Sequence, residues 1–404
     1  MKLRFVVLVL VLAATALWLA GVGGTSSVMA AAAKAPSVAG ACTFPTAVTG
    51  SMEQTAWQLF VAANCPTNKN QVVWENWIEQ SNFYPAGARL EAVKGKRLHG
   101  SPLAQALARK AGAAPELVPS TDCNKMSAPP SNVVPGAIVC EEARINPSAQ
   151  AFMLSKGYQG RAGQTKAAQA GTNIQFPTPA VEVKVDWIPG TDFNPPFTCA
   201  KPPQGVHVES IDGVCYAMAG IHIESKLISD WIWATFEPQN LQTNPNRCIT
   251  FGPCTDSWGS VPPVSNGGSG GFTKLTPALQ ALMTSAHLAP EFFNYRMDGV
   301  QTTFVTASGS PTLLGNSIIE GENVGMTKGT ASCITCHSVS SIKNDGTDGI
   351  TVLGSMPTPP VGPKYVVPKG WIARDFVWSM MLACPGSPTG RCSSAPTAKK
   401  PKGK

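Results

Sequence analysis

Twelve cysteines punctuate the chain, and how they are used limits the fold more than any other feature. Two of them, Cys333 and Cys336, stand three residues apart. The other ten are Cys42, Cys65, Cys123, Cys140, Cys199, Cys215, Cys248, Cys254, Cys384 and Cys392. Reducing compartments do not hold disulfides, so an even set of ten reads as covalent staples in an exported chain. Spacing alone cannot choose the connectivity. Nearest-neighbour pairing (42–65, 123–140, 199–215, 248–254, 384–392) is the expectation taken here, and each such loop would stabilise by about 2–4 kcal/mol.

The N-terminus agrees with export. Met1-Lys2-Leu3-Arg4 is a short basic opening, Phe5 to Ala20 carries no charge, and Val28-Met29-Ala30 offers small residues before a cleavage point, so residues 1–30 read as a signal peptide. The apolar run is shorter than the roughly 20 residues a bilayer-spanning helix needs. Membrane attachment would follow only if this segment stayed uncleaved. Cleavage removes Lys2 and Arg4, taking 31 basic residues to 29 against 24 acidic ones, a net charge of +5. That charge is too mild and dispersed for nucleic-acid binding. The one basic cluster, Lys399 to Lys404, falls in a tail, residues 393–404, expected to be solvated and disordered.

With 38 Gly and 35 Pro in 404 residues the chain is no helical bundle or coiled coil, while 43% hydrophobic residues and 10 Trp exclude a disordered one. It contains no P-loop, dinucleotide-binding or H-E-x-x-H motif and no repeat at solenoid spacing.

What it does contain is Cys333-Ile334-Thr335-Cys336-His337. On one helical turn, two thiols three residues apart reach the two vinyl groups of one porphyrin, and the next residue is carried beneath the iron. Cys and His are scarce here (12 and 5 residues), so composition does not explain the match. A zinc knuckle would want a second Cys/His pair nearby, and a thioredoxin-like pair would sit between a strand and a helix rather than among Gly, Ser and Thr.

At these residues the sequence resembles the c-type cytochromes. The resemblance covers the export signal, the motif and residues 321–392; residues 31–320 resemble no family. It implies one covalently attached haem c held by Cys333 and Cys336, with His337 as the proximal metal ligand. In small members of that family a Met in a Pro/Gly-rich loop closes the sixth position. Met356, in Gly354-Ser355-Met356-Pro357, resembles that Met, although it follows His337 by only 19 residues. Met326, Met380, Met381, His222 and His287 are alternatives, and an open position is the third option. A closed position favours electron transfer, and an open one admits ligand or peroxide chemistry.

Along the chain, Ser51 and Gln54 form a capping box ahead of a helix over 52–63. A short helix is expected at Leu103–Lys110. Residues 180–187, 206–211 and 220–225 alternate apolar and polar, as half-buried strands do. Asp212-Gly213 signals a two-residue hairpin, which pairs Glu209 with Tyr216 and sets His207 opposite Met218. Both arms carry His-x-Glu (His207, Glu209; His222, Glu224), all placed by this register on one face, with the two pairs too far apart for a single metal. Trp231–Glu237 reads as a strand that could wall a porphyrin. A helix begins at Thr276-Pro277, Asp298-Gly299 suggests a second hairpin, and a last helix is expected over Trp371–Cys384.

The expected fold is α+β: a large, disulfide-bearing, sheet-rich N-terminal portion over 31–320 and a small, mainly helical and loop, cytochrome c-like haem segment over 321–392. The expected function is that of an exported c-type cytochrome, periplasmic or secreted, which passes single electrons to a redox partner protein that the basic tail suggests is acidic. The alternative is a periplasmic haem-dependent oxidoreductase or peroxidase whose N-terminal portion binds the substrate, so the sequence leaves open whether the protein is an enzyme.

Overall fold

The computed structural model describes residues 38–67, 71–83, 123–126, 129–130, 132–211, 213–239, 254–261, 273–323, 330–349 and 361–383. The signal peptide, the Leu103–Lys110 helix, Met326, Met356 and the basic tail lie outside these residues, as do Cys248, Cys384 and Cys392 with their two expected disulfides. The other three expected pairs form: Cys42–Cys65, Cys123–Cys140 and Cys199–Cys215. These bonds place the folded chain in an oxidising environment. No helix among the described residues is long and apolar enough to cross a membrane.

The chain is mixed α and β around one antiparallel sheet. Its strands are β1 (Ile78–Glu79), β2 (Cys123–Lys125), β3 (Ile138–Ile145), β4 (Val181–Pro189), β5 (Val208–Ile211), β6 (Val214–Ser225) and β7 (Ile232–Pro238), and two short paired strands, β8 (Ser260–Val261) and β9 (Lys274–Leu275), precede β10 (Tyr295–Gln301). The order is β1-β3-β4-β6-β7-β10, with β2 beside β3 and β5 beside the first half of β6. The hairpin register follows the sequence expectation, with Glu209 opposite Tyr216 and Ile211 opposite Val214. Gly213 takes a left-handed φ of 80° in that turn.

One face of the sheet is apolar. Val181, Val183, Val185 and Trp187 of β4, Ile221 and Ile223 of β6, and Ala234 and Phe236 of β7 pack there against two helices. The first, α2 (Met52–Ala63), contributes Trp57 and Phe60, and its N-cap Ser51 hydroxyl accepts the Gln54 N–H at 3.1 Å. The second is Pro277–Ser285, capped by Thr276, with Leu279, Leu282 and Met283 turned inward.

A β-bulge decides what the other face carries. Asp186 pairs with Gly220 but Trp187 pairs with Met218, so Ala219 is an extra residue in β6. The insertion flips side-chain parity. Tyr216 and Met218 before it, and Ile221 and Ile223 after it, therefore reach the same apolar face. Simple alternation predicts one shared face for the two His-x-Glu pairs; the bulge puts them on opposite faces. His207 and Glu209 lie on the apolar side, while His222 and Glu224 lie on the other.

Two further expectations change. Asp298-Gly299 is not a hairpin turn; it sits within β10 at a register shift between Met297 and Gly299. Trp371–Cys384 is not one helix. Its start, β12 (Trp371–Ala373), pairs with β11 (Ser341–Lys343), Asp375 and Phe376 take left-handed φ values of 51° and 71°, and only Trp378–Leu382 turns, as a 3-10 helix. Two successive left-handed residues cannot lie inside an α-helix. The strand expected over Trp231–Glu237 forms as β7, inside the sheet between β6 and β10.

Candidate haem-attachment site

The C-x-x-C-H residues form a short helix, Cys333–Ser338. Its geometry is held from both ends. Gln301, at the end of β10, accepts the Ile334 N–H at 3.0 Å and donates to the Ser332 hydroxyl at 2.9 Å. The Thr335 hydroxyl donates to the Gly362 carbonyl at 3.0 Å, and the Ser340 hydroxyl to the Val377 carbonyl at 2.8 Å. The helix thus lies between the sheet's second face and the 361–383 segment. An apolar cluster ties all three, with Trp231 and Trp233 of the sheet side, Ile334 of the helix, and Ile372, Phe376 and Met380 of the C-terminal segment.

Cys333 and Cys336 are both free thiols. They and His337 are each partly accessible, and burial dominates the ionisation of all three. Burial pushes the Cys336 thiol up to about 12 and the Cys333 thiol well above its usual range, aided by the charges of Glu320 and, for Cys333, Glu224. Burial also drives the His337 imidazole down to about 3, against the opposing pull of the Phe376 carbonyl. At neutral pH the ring is therefore neutral, the state in which imidazole binds a metal.

His337 is oriented by its other nitrogen. Its Nδ1–H donates to the Phe376 carbonyl at 2.9 Å, which fixes the tautomer and leaves Nε2 with its lone pair. The ring lies 4.5 Å from that of Trp233 and 6.3 Å from that of Trp378. The Phe376 carbonyl is in turn held by its unusual backbone. Asp375 accepts the Phe176 N–H at 2.7 Å and the Lys226 ammonium at 2.6 Å, and the Lys226 ammonium also donates to the Ser229 carbonyl at 2.7 Å.

The sheet's second face presents ionisable groups toward this helix. Lys184 pairs with Glu141 at 2.7 Å. His222 Nε2 lies 3.0 and 3.2 Å from the two oxygens of Glu320. Burial alone would raise Glu320, but the His222 and Lys184 charges and the Asn316 N–H bring it down to about 2. Glu182 and Glu224 are direct cross-strand partners, both buried. Burial pushes Glu182 up to about 7 and Glu224 well above its ordinary value, and the carboxylate of Glu182 raises Glu224 further. Glu320 is delivered by a π-helical segment, Ser317–Asn323, whose Ser317 N–H and hydroxyl both donate to Glu237 at 2.7 Å.

Of the residues singled out from sequence, Cys333, Cys336 and His337 come together on this helix. His222 faces the same region and is engaged by Glu320. His287 is exposed beyond the 277–285 helix, and Met380 is fully buried in the apolar cluster. Alternation alone marks Lys184, Glu182 and Glu224 as a polar face. Glu320 and Phe376 carry no local signal, because one acts from a π-helical segment and the other through its backbone.

No family model matches this chain, and neither the curated proteins nor the solved structures contain a match.

Proposed function

We propose that the protein is an exported c-type cytochrome, periplasmic or secreted, that holds one haem through thioethers at Cys333 and Cys336 and uses it for single-electron transfer. The observation that carries this reading is the pairing of two free thiols on one helical turn with a neutral imidazole anchored at Nδ1. The donor set fits the group: two sulfurs three residues apart for the vinyls, and a free Nε2 for the iron. When bound, haem supplies an iron that accepts and releases one electron at a time. The chain's own residues do the rest. Trp233 and Trp378 set apolar rings beside the imidazole, and the Phe376 carbonyl polarises its N–H. The basic tail steers an acidic redox partner.

The ionisable face favours a second reading, a haem-dependent oxidoreductase. A pure carrier has no use for Lys184, His222, Glu224 and Glu320 set close enough for their charges to act on Cys333 or His337. Such groups hold and move protons beside a redox centre.

The test is the pyridine haemochrome spectrum and intact mass of protein exported to the periplasm. One haem per chain is expected, lost in Cys333→Ala/Cys336→Ala; a mass without haem overturns both readings. Carbon monoxide and peroxide then separate them: a low-spin iron inert to both removes the oxidoreductase, and a high-spin iron that binds them removes the pure carrier.

A further inference from the structure

On the apolar side of the sheet, away from the C-x-x-C-H helix, His207 meets three carboxylates. Its Nε2 lies 3.0 Å from Glu75 Oε1 and 3.8 Å from Glu209 Oε1. Its Nδ1 is buried, 3.6 Å from Glu291 Oε1, and makes no hydrogen bond. One donor atom each from Glu75, His207 and Glu209 lie within 4.8 Å of one another. A tetrahedral ion bound at about 2.1 Å spaces its ligands about 3.4 Å apart. The 3.0 and 3.8 Å separations bracket that value, so sub-ångström shifts admit an ion.

Each donor is held by other parts of the fold. Glu75 sits on the 3-10 turn Trp74–Asn76, where its Oε2 accepts the Val72 N–H at 3.0 Å and its Oε1 meets His207 Nε2. The His207 N–H donates to the Tyr295 hydroxyl at 3.2 Å, and its carbonyl accepts the Met218 N–H at 2.9 Å. The imidazole stacks on Phe292 at 4.9 Å. Glu209 is set by its strand pairing with Tyr216. Glu291 also lines a surface cavity of about 420 Å³, with Pro203, Val206, Val208 and Asn294.

We infer that Glu75, His207 Nε2 and Glu209 form a binding site for one divalent transition-metal ion, with Glu291 accepting the His207 Nδ1–H as an outer partner. The chemistry of the set supports this. One imidazole nitrogen and several carboxylate oxygens are donors of the kind a divalent cation takes, and the cation's charge is opposite to theirs. An imidazole nitrogen with two carboxylates suits zinc or manganese rather than calcium. Carboxylate–histidine–metal is the usual outer arrangement of such sites. This inference does not depend on haem: it uses the opposite face of the sheet and none of the residues of the C-x-x-C-H site.

The test is titration of chelator-treated full-length protein with Zn²⁺ alone, followed by calorimetry and by thermal melting. Wild type is expected to take up one equivalent more than Glu209→Gln or His207→Gln, and only wild type should melt higher when zinc is added. Glu291→Gln should keep the stoichiometry and weaken the affinity by about 10–100-fold. Equal uptake by wild type and a folded Glu209→Gln overturns the proposal and leaves His207 as an imidazolium pinned by carboxylates. Should circular dichroism show Glu209→Gln unfolded, the decision falls to Glu291→Gln, whose side chain borders the cavity: an affinity unchanged from wild type overturns the proposal.

Discussion

Replacing Asp375 by Asn should destabilise the protein more than any substitution on its surface. Asp375 Oδ1 takes the Lys226 ammonium at 2.6 Å and Oδ2 takes the Phe176 N–H at 2.7 Å, with the acid side chain 2% and the lysine 8% exposed. An Asn keeps one acceptor, so its amide N–H₂ must face either the ammonium or the Phe176 N–H, donor against donor. Removing one partner from a buried ion pair costs about 3–5 kcal/mol, because the remaining charge stays buried without its counter-charge. A single-chain domain has about 5–15 kcal/mol in all, so the loss is a large fraction. Urea unfolding of exported wild type and Asp375→Asn, followed by circular dichroism, measures it as a lower midpoint at unchanged slope. The double change Lys226→Met/Asp375→Leu removes both charges and should recover most of the loss. It retains the penalty of about 1–3 kcal/mol for the orphaned Phe176 N–H and the loss of the ammonium's bond to the Ser229 carbonyl. A loss below about 1 kcal/mol for the single change, or a double variant no better than the single, would refute the claim that this pair holds the left-handed turn under His337.

Other expectations rest on separate parts of the fold. In protein made without haem, Cys336 has its thiol held at about 12 by burial. Reaction with a disulfide reagent at pH 8 should therefore run at least about 100-fold slower in the folded than in the urea-unfolded protein; equal rates would contradict the burial. Glu182 is held up at about 7 while facing Gln80, Lys184, Glu141 and Glu224. An acid raised on folding binds more protons in the native state, so its contribution to stability falls as pH rises from about 4.5 to about 7. Melting curves across that window should flatten in Glu182→Gln. Gly220→Ala places a Cβ 2.7–3.0 Å from the Asn316 amide atoms, while that amide also donates to the Thr235 hydroxyl at 2.9 Å. The clash should cost about 1–3 kcal/mol in thermal or urea unfolding.

Local chemistry settled a good deal in advance. The Ser51 cap, the Thr276-Pro277 helix start, the 208–217 hairpin register and three of the disulfides depend on residues close in sequence, and the chain order of residues suffices to read them. The C-x-x-C-H spacing likewise defines a helical turn that puts two thiols and an imidazole together, whatever surrounds them. Tertiary structure decided the rest. Ala219 has no local mark of a bulge; it became one because β6 pairs with β4 on one edge and with both β5 and β7 on the other, and the resulting shift of parity sent His207 and His222 to opposite faces. Trp371–Ala373, expected in a helix, found a strand partner in β11, and the carbonyl that orients His337 comes from a left-handed residue whose neighbour Asp375 is held by a lysine 149 positions away. The clusters around His207 and Glu320 draw on residues that stand far apart in the chain. Their proximity is a property of the sheet that assembles them, because a periodic pattern records which face a side chain takes within its own strand and carries nothing about what another segment brings against it.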